Sequence, residues 1–363
     1  MRYFTFSWGN NHIALRGLLR VLGHVLVQPV EVSAGFINNA VSSCPDFMCF
    51  SGKIVIAEII KQLENGERNF IYMSSNGIEA CRCAETGSFL KTFFRDKYPD
   101  LKTVRIGGNS TDESYQNLQE HFPGISRFKH NYAYFIFFMK LELINMIEKE
   151  SLRLSPSVGN PYELKKLATK YLKLVDKNQN PFKLYWIGIR FKNAVKKIKR
   201  SVDKPVLKIG LVGGEHILSE LDSIMAKIKQ IVFKANIQLE WRSGFLSITK
   251  ISSYDRPAKG KDGVDYMKEK TKNYIHPAVY GTELISCARA LEFSEEEFDG
   301  LIHIYAFGCL PQTAIKPVLQ SIVRDKGIPF LSISLGDRFN DSVIETRIEA
   351  FIDLLKQRKG EKK

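Results

Sequence analysis

Two thiols separated by four residues, Cys44 and Cys49, stand in Cys44-Pro45-Asp46-Phe47-Met48-Cys49-Phe50-Ser51-Gly52-Lys53, which runs into an apolar stretch from Ile54 to Leu63. That stretch predicts a largely buried helix with Ser51 as its N-cap. Cys49 then sits just ahead of a helix start, where unpaired N–H groups and the positive end of the dipole favour a thiolate over a thiol. Cys81 and Cys83 follow a predicted strand, and Cys309 follows another, with Pro311 at the first helical position two residues on. Ligands of open α/β sheets bind beyond the carboxyl ends of the strands. A cleft between two such sheets would let Cys44, Cys49, Cys81 and Cys309 meet, with Cys83 as a spare. Four thiolates around a buried site suit an iron–sulfur cluster. Spacing alone leaves the other reading open, that these are small buried hydrophobes. Cys287 falls inside an apolar helix and reads as structural.

The elements that would have to position these sulfurs alternate strand and helix. Strands are expected at 3–8, 25–27, 69–73 and 103–106, with helices at 13–22, 34–41, 54–63 and 89–94. Helices fill 116–121, 126–153, 161–175 and 182–200. A second alternating series follows, with strands at 206–212, 237–241, 300–308 and 328–334 and helices at 217–233, 282–291, 311–324 and 342–356. Such alternation indicates βαβ units and parallel sheets. The expected domains are therefore 1–110, an α/β unit with Cys44, Cys49 and Cys81; 111–204, a basic helical connector; and 205–363, a second α/β unit with Cys309. The region 248–275 is polar and Lys-rich and takes no assignment.

With 363 residues, 44% hydrophobic and 25% charged, the chain has ordinary globular composition and length for two domains. No apolar run is long enough to span a bilayer. The N-terminus lacks a continuous hydrophobic region with a small-residue cleavage site, so a cytoplasmic location is expected. Six cysteines there point to metal binding or catalysis rather than a disulfide framework. No paired CxxC knuckles occur, which disfavours a zinc ribbon. Net charge is +14, and residues 161–200 hold twelve lysines and arginines against two acids. A solvated helical face explains such a run, and attraction to nucleic acid, an anionic surface or an acidic partner is the functional alternative. The aromatic run Tyr132 to Met139 reads as core or as a homodimer face.

Three of these segments resemble one family in register. Cys44 to Lys53 is similar to the Cys-Pro-Glu-x-x-Cys-x-Pro-x-Lys segment of proteins related to 2-hydroxyacyl-CoA dehydratases and their activases. Ala80-Cys81-Arg82-Cys83-Ala84 resembles that family's Gly-Pro-Cys-Arg-x-Gly loop, and Phe307-Gly308-Cys309-Leu310-Pro311-Gln312 its Phe-Gly-Cys-Met-Pro-Glu. The likeness spans both α/β halves in order and fades over the helical middle. It implies two Rossmann-like domains with an iron–sulfur cluster at their cleft, of the 4Fe-4S type. Cys44, Cys49, Cys81 and Cys309 would be its ligands, with Cys83 as an extra thiol. It also implies low-potential electron transfer from an ATP-dependent activase to a radical dehydration or reduction of an acyl-CoA substrate, with Arg82 and Lys53 as substrate contacts. Gln312 replaces the expected acid, Ser51 the expected Pro, and Ala80 and Ala84 stand for Pro and Gly. Tyr280-Gly281 lacks the family's Gly-Gly-His. None of these departures removes a thiol.

Two other functions compete with a catalytic one. The chain could be a non-catalytic, cluster-bearing accessory of such a system, or a binder of nucleic acid or anionic surfaces through 161–200. No aromatic-interleaved nucleic-acid module supports that last reading. Gly213-Gly214-Glu215-His216 lacks a dinucleotide or P-loop signature and reads as a packing turn. His303, inside a buried strand, reads as a hydrogen-bonded core histidine. Asp46 and Glu85 have ordinary capping or surface roles as their simplest explanation.

Overall fold

A computed structural model describes residues 2–5, 8–28, 44–66, 71–75, 86–93, 95–96, 98–99, 101–106, 111–158, 161–198, 207–214, 228, 230–231, 235–242, 263–279, 281–336 and 341–361. The first half forms a parallel sheet from β1 (Arg2–Phe4), β2 (Val25–Leu26), β3 (Ile71–Ser75) and β4 (Lys102–Ile106), in the order β2-β1-β3-β4. The second half repeats the plan with β5 (Leu207–Gly213), β6 (Ile237–Trp241), β7 (Gly300–Ala306) and β8 (Phe330–Leu335), in the order β6-β5-β7-β8. In each sheet the strand order reverses between its first and third strands, which opens a crevice at their carboxyl ends. Every residue of β7 is buried, as expected for a parallel strand covered on both faces.

In the first half, α1 (His12–Leu22) crosses from β1 to β2 and stops at Gly23, whose φ of 91° ends the helix. Next come α2 (Phe50–Glu64), α3 (Thr86–Phe93) and α4 (Thr111–His121). The helical middle holds α5 (Arg127–Leu154), α6 (Pro161–Lys177) and α7 (Pro181–Lys196). The second half adds α8 (Val264–Thr271), α9 (Thr282–Glu295), α10 (Leu310–Asp325) and α11 (Asp341–Glu361). The helices expected at 34–41 and, almost entirely, at 217–233 lie outside the described residues. Part of the unassigned 248–275 region is the helix α8.

Long helices start where the sequence supplies caps. Ser126 Oγ accepts from Lys129 N–H at 3.2 Å at the start of α5, and Asn180 Oδ1 accepts from Lys183 N–H at 3.1 Å ahead of Pro181 in α7. One side of α5 (Ala133, Phe137, Leu141, Ile144) packs on Leu15 and Leu18 of α1 and on Tyr3 of β1. Its Ile136 and Ile147 pack with Leu164 and Val175 of α6 and with Leu184 and Phe191 of α7. The helical middle is thus bound to the first half chiefly through its long helix α5.

A polar pin sits in that joint. Asp176, at the end of α6, pairs with Arg16 at 3.1 Å and Arg20 at 3.0 Å, both on α1. Its carbonyl oxygen also accepts from Arg20 at 2.7 Å and from Lys140 Nζ at 3.1 Å. Cations at a helix C-terminus meet the negative end of its dipole. Lys140 has no solvent exposure, and it fits because Gly17 offers no side chain where a Cβ would lie 2.8 Å from Lys140 Cδ. Burial pushes the Lys140 ammonium down to about 8, partly offset by Asp176. Asp176→Ala would leave three cations gathered with no carboxylate, and should cost about 2 kcal/mol in urea denaturation. A loss within about 0.5 kcal/mol, as for an isolated surface residue, would show that the pin is incidental.

Candidate functional site

The helix after the first cysteine pair begins earlier than its apolar run suggests. Its N-cap is Cys49, not Ser51, with φ −70° and ψ 156° and no capping bond from the side chain. The reason is tertiary. Phe50 N–H donates to Phe307 O at 2.9 Å, across to the second half, while Lys53 N–H closes the first turn on Cys49 O at 3.0 Å. Ser51, Gly52 and Lys53 are buried within that turn. A helix apolar or enclosed on every side lies inside a larger body. Accordingly, Ile54, Val55 and Ile59 of α2 share one buried cluster with Ile209, Ile302 and Ile304 of the second sheet and Ile348 and Ile352 of α11.

Cys309 has the matching position. It is the N-cap of α10, with φ −68° and ψ 109° and again no capping bond from its side chain. Its N–H donates to Ala306 O at 3.0 Å, and Thr313 N–H donates to Cys309 O at 3.0 Å. Between strand and cap lies Gly308 at φ +73°, a left-handed conformation that glycine adopts without steric cost. A Cβ on Gly308 would come within 3.3 Å of Cys49 Cα and 3.6 Å of Met48 O. The first turns of α2 and α10 therefore lie close together, with the positive dipole end of each beside its cysteine. Negative charge is favoured there.

Cys49 is 3% exposed, Cys44 is 8% exposed, and both belong to the buried cluster against which the half-buried Cys309 packs. The intervening residues turn through Met48 N–H donating to Pro45 O at 3.0 Å, which leaves Asp46 and Phe47 exposed. Gly52 makes room above the first turn of α2: a Cβ there would lie 2.9 Å from Met48 Cγ and 3.8 Å from Cys49 Sγ. Lys53 is 5% exposed, inside α2. Cys81, Arg82, Cys83 and Glu85, and likewise Glu215 and His216, lie outside the described residues. Among the described residues no group of three or more His, Cys, Asp or Glu is gathered closely enough to hold a metal ion. The structure thus brings Cys49 to the Gly308-Cys309 turn and keeps Cys44 in the same cluster.

Cys287 stands apart on α9, fully buried, with burial and nearby Glu283 pushing its thiol well above the usual range. That fits a structural role. His303 on β7 is held from both ring nitrogens. Nε2–H donates to Gln312 Oε1 at 3.0 Å, and Nδ1 accepts from Ser332 Oγ at 3.1 Å, the tautomer that this network requires. Gln312, in the first turn of α10, also accepts from Ser286 Oγ at 3.3 Å. An amide in place of the resembled acid avoids burying a charge in a site with no exposure, at the cost of a Gln312 Nε2 with no partner among the described residues. Sequence reasoning missed this relay and the Phe50–Phe307 bond. The signals for them were a glycine directly before Cys309 and a polar residue three positions after it.

No protein family model matches this chain, and no curated protein matches it.

Two outcomes test this geometry. Gly308→Ala and Gly327→Ala share a positive-φ penalty of about 1–2 kcal/mol, but only at Gly308 is there an atom within 4 Å of the added methyl. Gly308→Ala should therefore destabilise more in thermal denaturation; equal losses would mean the two halves do not abut there. The second outcome concerns pH. Burial, with Lys316 nearby, lowers the His303 imidazole to about 4, with the Gln312 bond partly opposing. Between about pH 6.5 and 4 the unfolded chain binds the extra proton, so this contribution to stability is present above that window and is lost as pH falls through it. His303→Leu should flatten that part of the stability–pH curve; an unchanged slope would refute the assignment.

Proposed function

We propose that this chain is an iron–sulfur electron-transfer protein related to the 2-hydroxyacyl-CoA dehydratases, working in the cytoplasm with an ATP-dependent activase as electron donor. The observation that carries the reading is the meeting of two cysteine-capped helix N-termini, tied by Phe50 N–H to Phe307 O and closed by Gly308. Soft thiolate donors, a buried setting and convergent N–H groups are what such a cluster requires. Cys49 and Cys309 would be its central ligands, with Cys44 beside them and Cys81 as the fourth. When bound, the cluster would hold and pass one electron at low potential. The protein's own contribution is to exclude water with Met48 and the surrounding apolar core and to aim backbone donors at the sulfurs.

A relay or scaffold role is favoured over catalysis by this chain alone by one feature. Phe47, Phe307 and Leu310, neighbours of the two caps, are exposed by 61%, 64% and 45%. Exposed apolar groups flanking a redox site suit a docking partner. Arg82 and Lys53 remain the proposed contacts for an acyl-CoA, although Lys53 is enclosed.

The test is anaerobic purification followed by iron and sulfide analysis. A brown protein with both elements is expected, lost in Cys49→Ser and Cys309→Ser and kept in Cys287→Ser. A folded, iron-free protein, or full iron content in Cys309→Ser, would overturn the proposal. Dehydration of a 2-hydroxyacyl-CoA by this chain with activase, ATP and reductant would in turn exclude the accessory role.

A further inference from the structure

The helical middle presents a second surface that the thiol site does not use. Helix α7 is apolar on two opposite sides. Leu184, Ile187, Phe191 and Val195 are buried against α5 and α6. Facing away, Phe182, Tyr185 and Trp186 recur at i, i+3 and i+4 and are exposed by 77%, 60% and 56%. Residues at that spacing share one face of a helix. Lys196 and Lys197 continue the same stripe, and Lys183 and Arg190 border it on one side and Lys192 on the other; all five are exposed. None of these cations forms an ion pair with an acid among the described residues.

Helix α5 runs alongside. Tyr132 Oη donates to Gln179 O at 3.0 Å just before α7, and Gly188 lies against Leu143 further along, so α5 and α7 run side by side in the same direction. In this register Phe135 of α5, 50% exposed, falls near the first turns of α7. Aromatic side chains that serve only folding would turn inward. Here three adjacent rings stand in solvent within a basic border.

We infer that this face seats the protein on an anionic lipid surface. A helix with bulky aromatic residues on one face and lysines around them lies in the plane of the headgroups, its rings at the acyl boundary and its ammonium groups among lipid phosphates. No described helix is long and apolar enough to cross a membrane, so the contact is peripheral. A second copy of the chain fits the face poorly, because two-fold pairing would set lysines against lysines. Single-stranded nucleic acid also fits poorly. The Tyr185 and Trp186 rings meet edge to face at 77° with centroids 6.0 Å apart, which gives no parallel platform for successive bases. This inference is independent of whether the thiols hold a cluster.

The experiment is co-sedimentation of the full chain with vesicles of phosphatidylcholine alone or with about one-third phosphatidylglycerol, read beside Trp fluorescence. Binding to the anionic vesicles only is expected, weakening as salt rises, with a blue shift that Trp186→Phe removes. Phe182→Ser with Tyr185→Ser should weaken binding about tenfold or more, and Lys192→Glu with Lys197→Glu by a similar factor. Both pairs change exposed residues, and circular dichroism verifies that they fold. The inference is overturned by absence of binding to anionic vesicles at low salt, or by binding indifferent to the aromatic pair. It is equally overturned if the aromatic pair instead weakens binding to a single-stranded oligonucleotide or dissociates a dimer in light scattering.

Discussion

One backbone hydrogen bond, Phe50 N–H to Phe307 O, joins the start of a helix in the first half to the end of a strand in the second. It goes with a close passage of the chain at Gly308, where an added Cβ would lie 3.3 Å from Cys49 Cα and where glycine adopts the positive φ without steric cost. Much follows from that approach. Helix α2 loses its solvent face and becomes the centre of a core shared by both sheets. Its amino end and that of α10 then lie close together. Two like dipole ends repel unless something negative lies between them, so the fold itself creates a demand for anionic charge at the two cysteine caps.

Elsewhere the protein meets its electrostatic demands internally. Asp176 gathers Arg16, Arg20 and Lys140 at the end of α6. Beyond β6, Arg242 bridges Glu240 and Glu292, stacks on Phe293 and also pairs with Glu296. Glu292 in turn holds Arg289. These are closed networks in which buried charges have partners, and they fix helices in place. The thiol site and the outer face of α7 differ from them in kind. The first sets two helix amino ends beside buried thiols, and the second spreads cations that form no ion pair among the described residues around exposed rings. Those two places are the ones proposed to meet other matter.

Much of the architecture was legible because parallel strands are short apolar runs bounded by turn residues. Ile237–Trp241 has the bounds expected of it, and the strand ending ahead of Gly308-Cys309 is where its apolar run places it. Cys309 was readable as a thiol at a helix threshold because Pro311 follows it. Less legible was the start of α2. Ser51, Gly52 and Lys53 look like a cap and an exposed turn, yet all three are buried in the first turn of α2. Likewise α4 begins at Thr111, ahead of the expected Gln116, since its first turn carries Asp112 and Glu113 and no apolar signal. The meeting of Cys49 with Gly308 depends on how two sheets dock, which no local spacing encodes. Lys140 was hidden for a similar reason: it directly follows an aromatic run, and its partner lies in a different helix.

The central claim is that Cys49 and Cys309 share one metal centre. Diffraction from anaerobically grown crystals, recorded on both sides of the iron absorption edge, addresses it directly. The account predicts an anomalous iron peak between the first turns of α2 and α10, within bonding distance of both Sγ atoms. Two protonated thiols facing apolar side chains, with no iron peak in crystals of protein prepared with iron and sulfide, would contradict it.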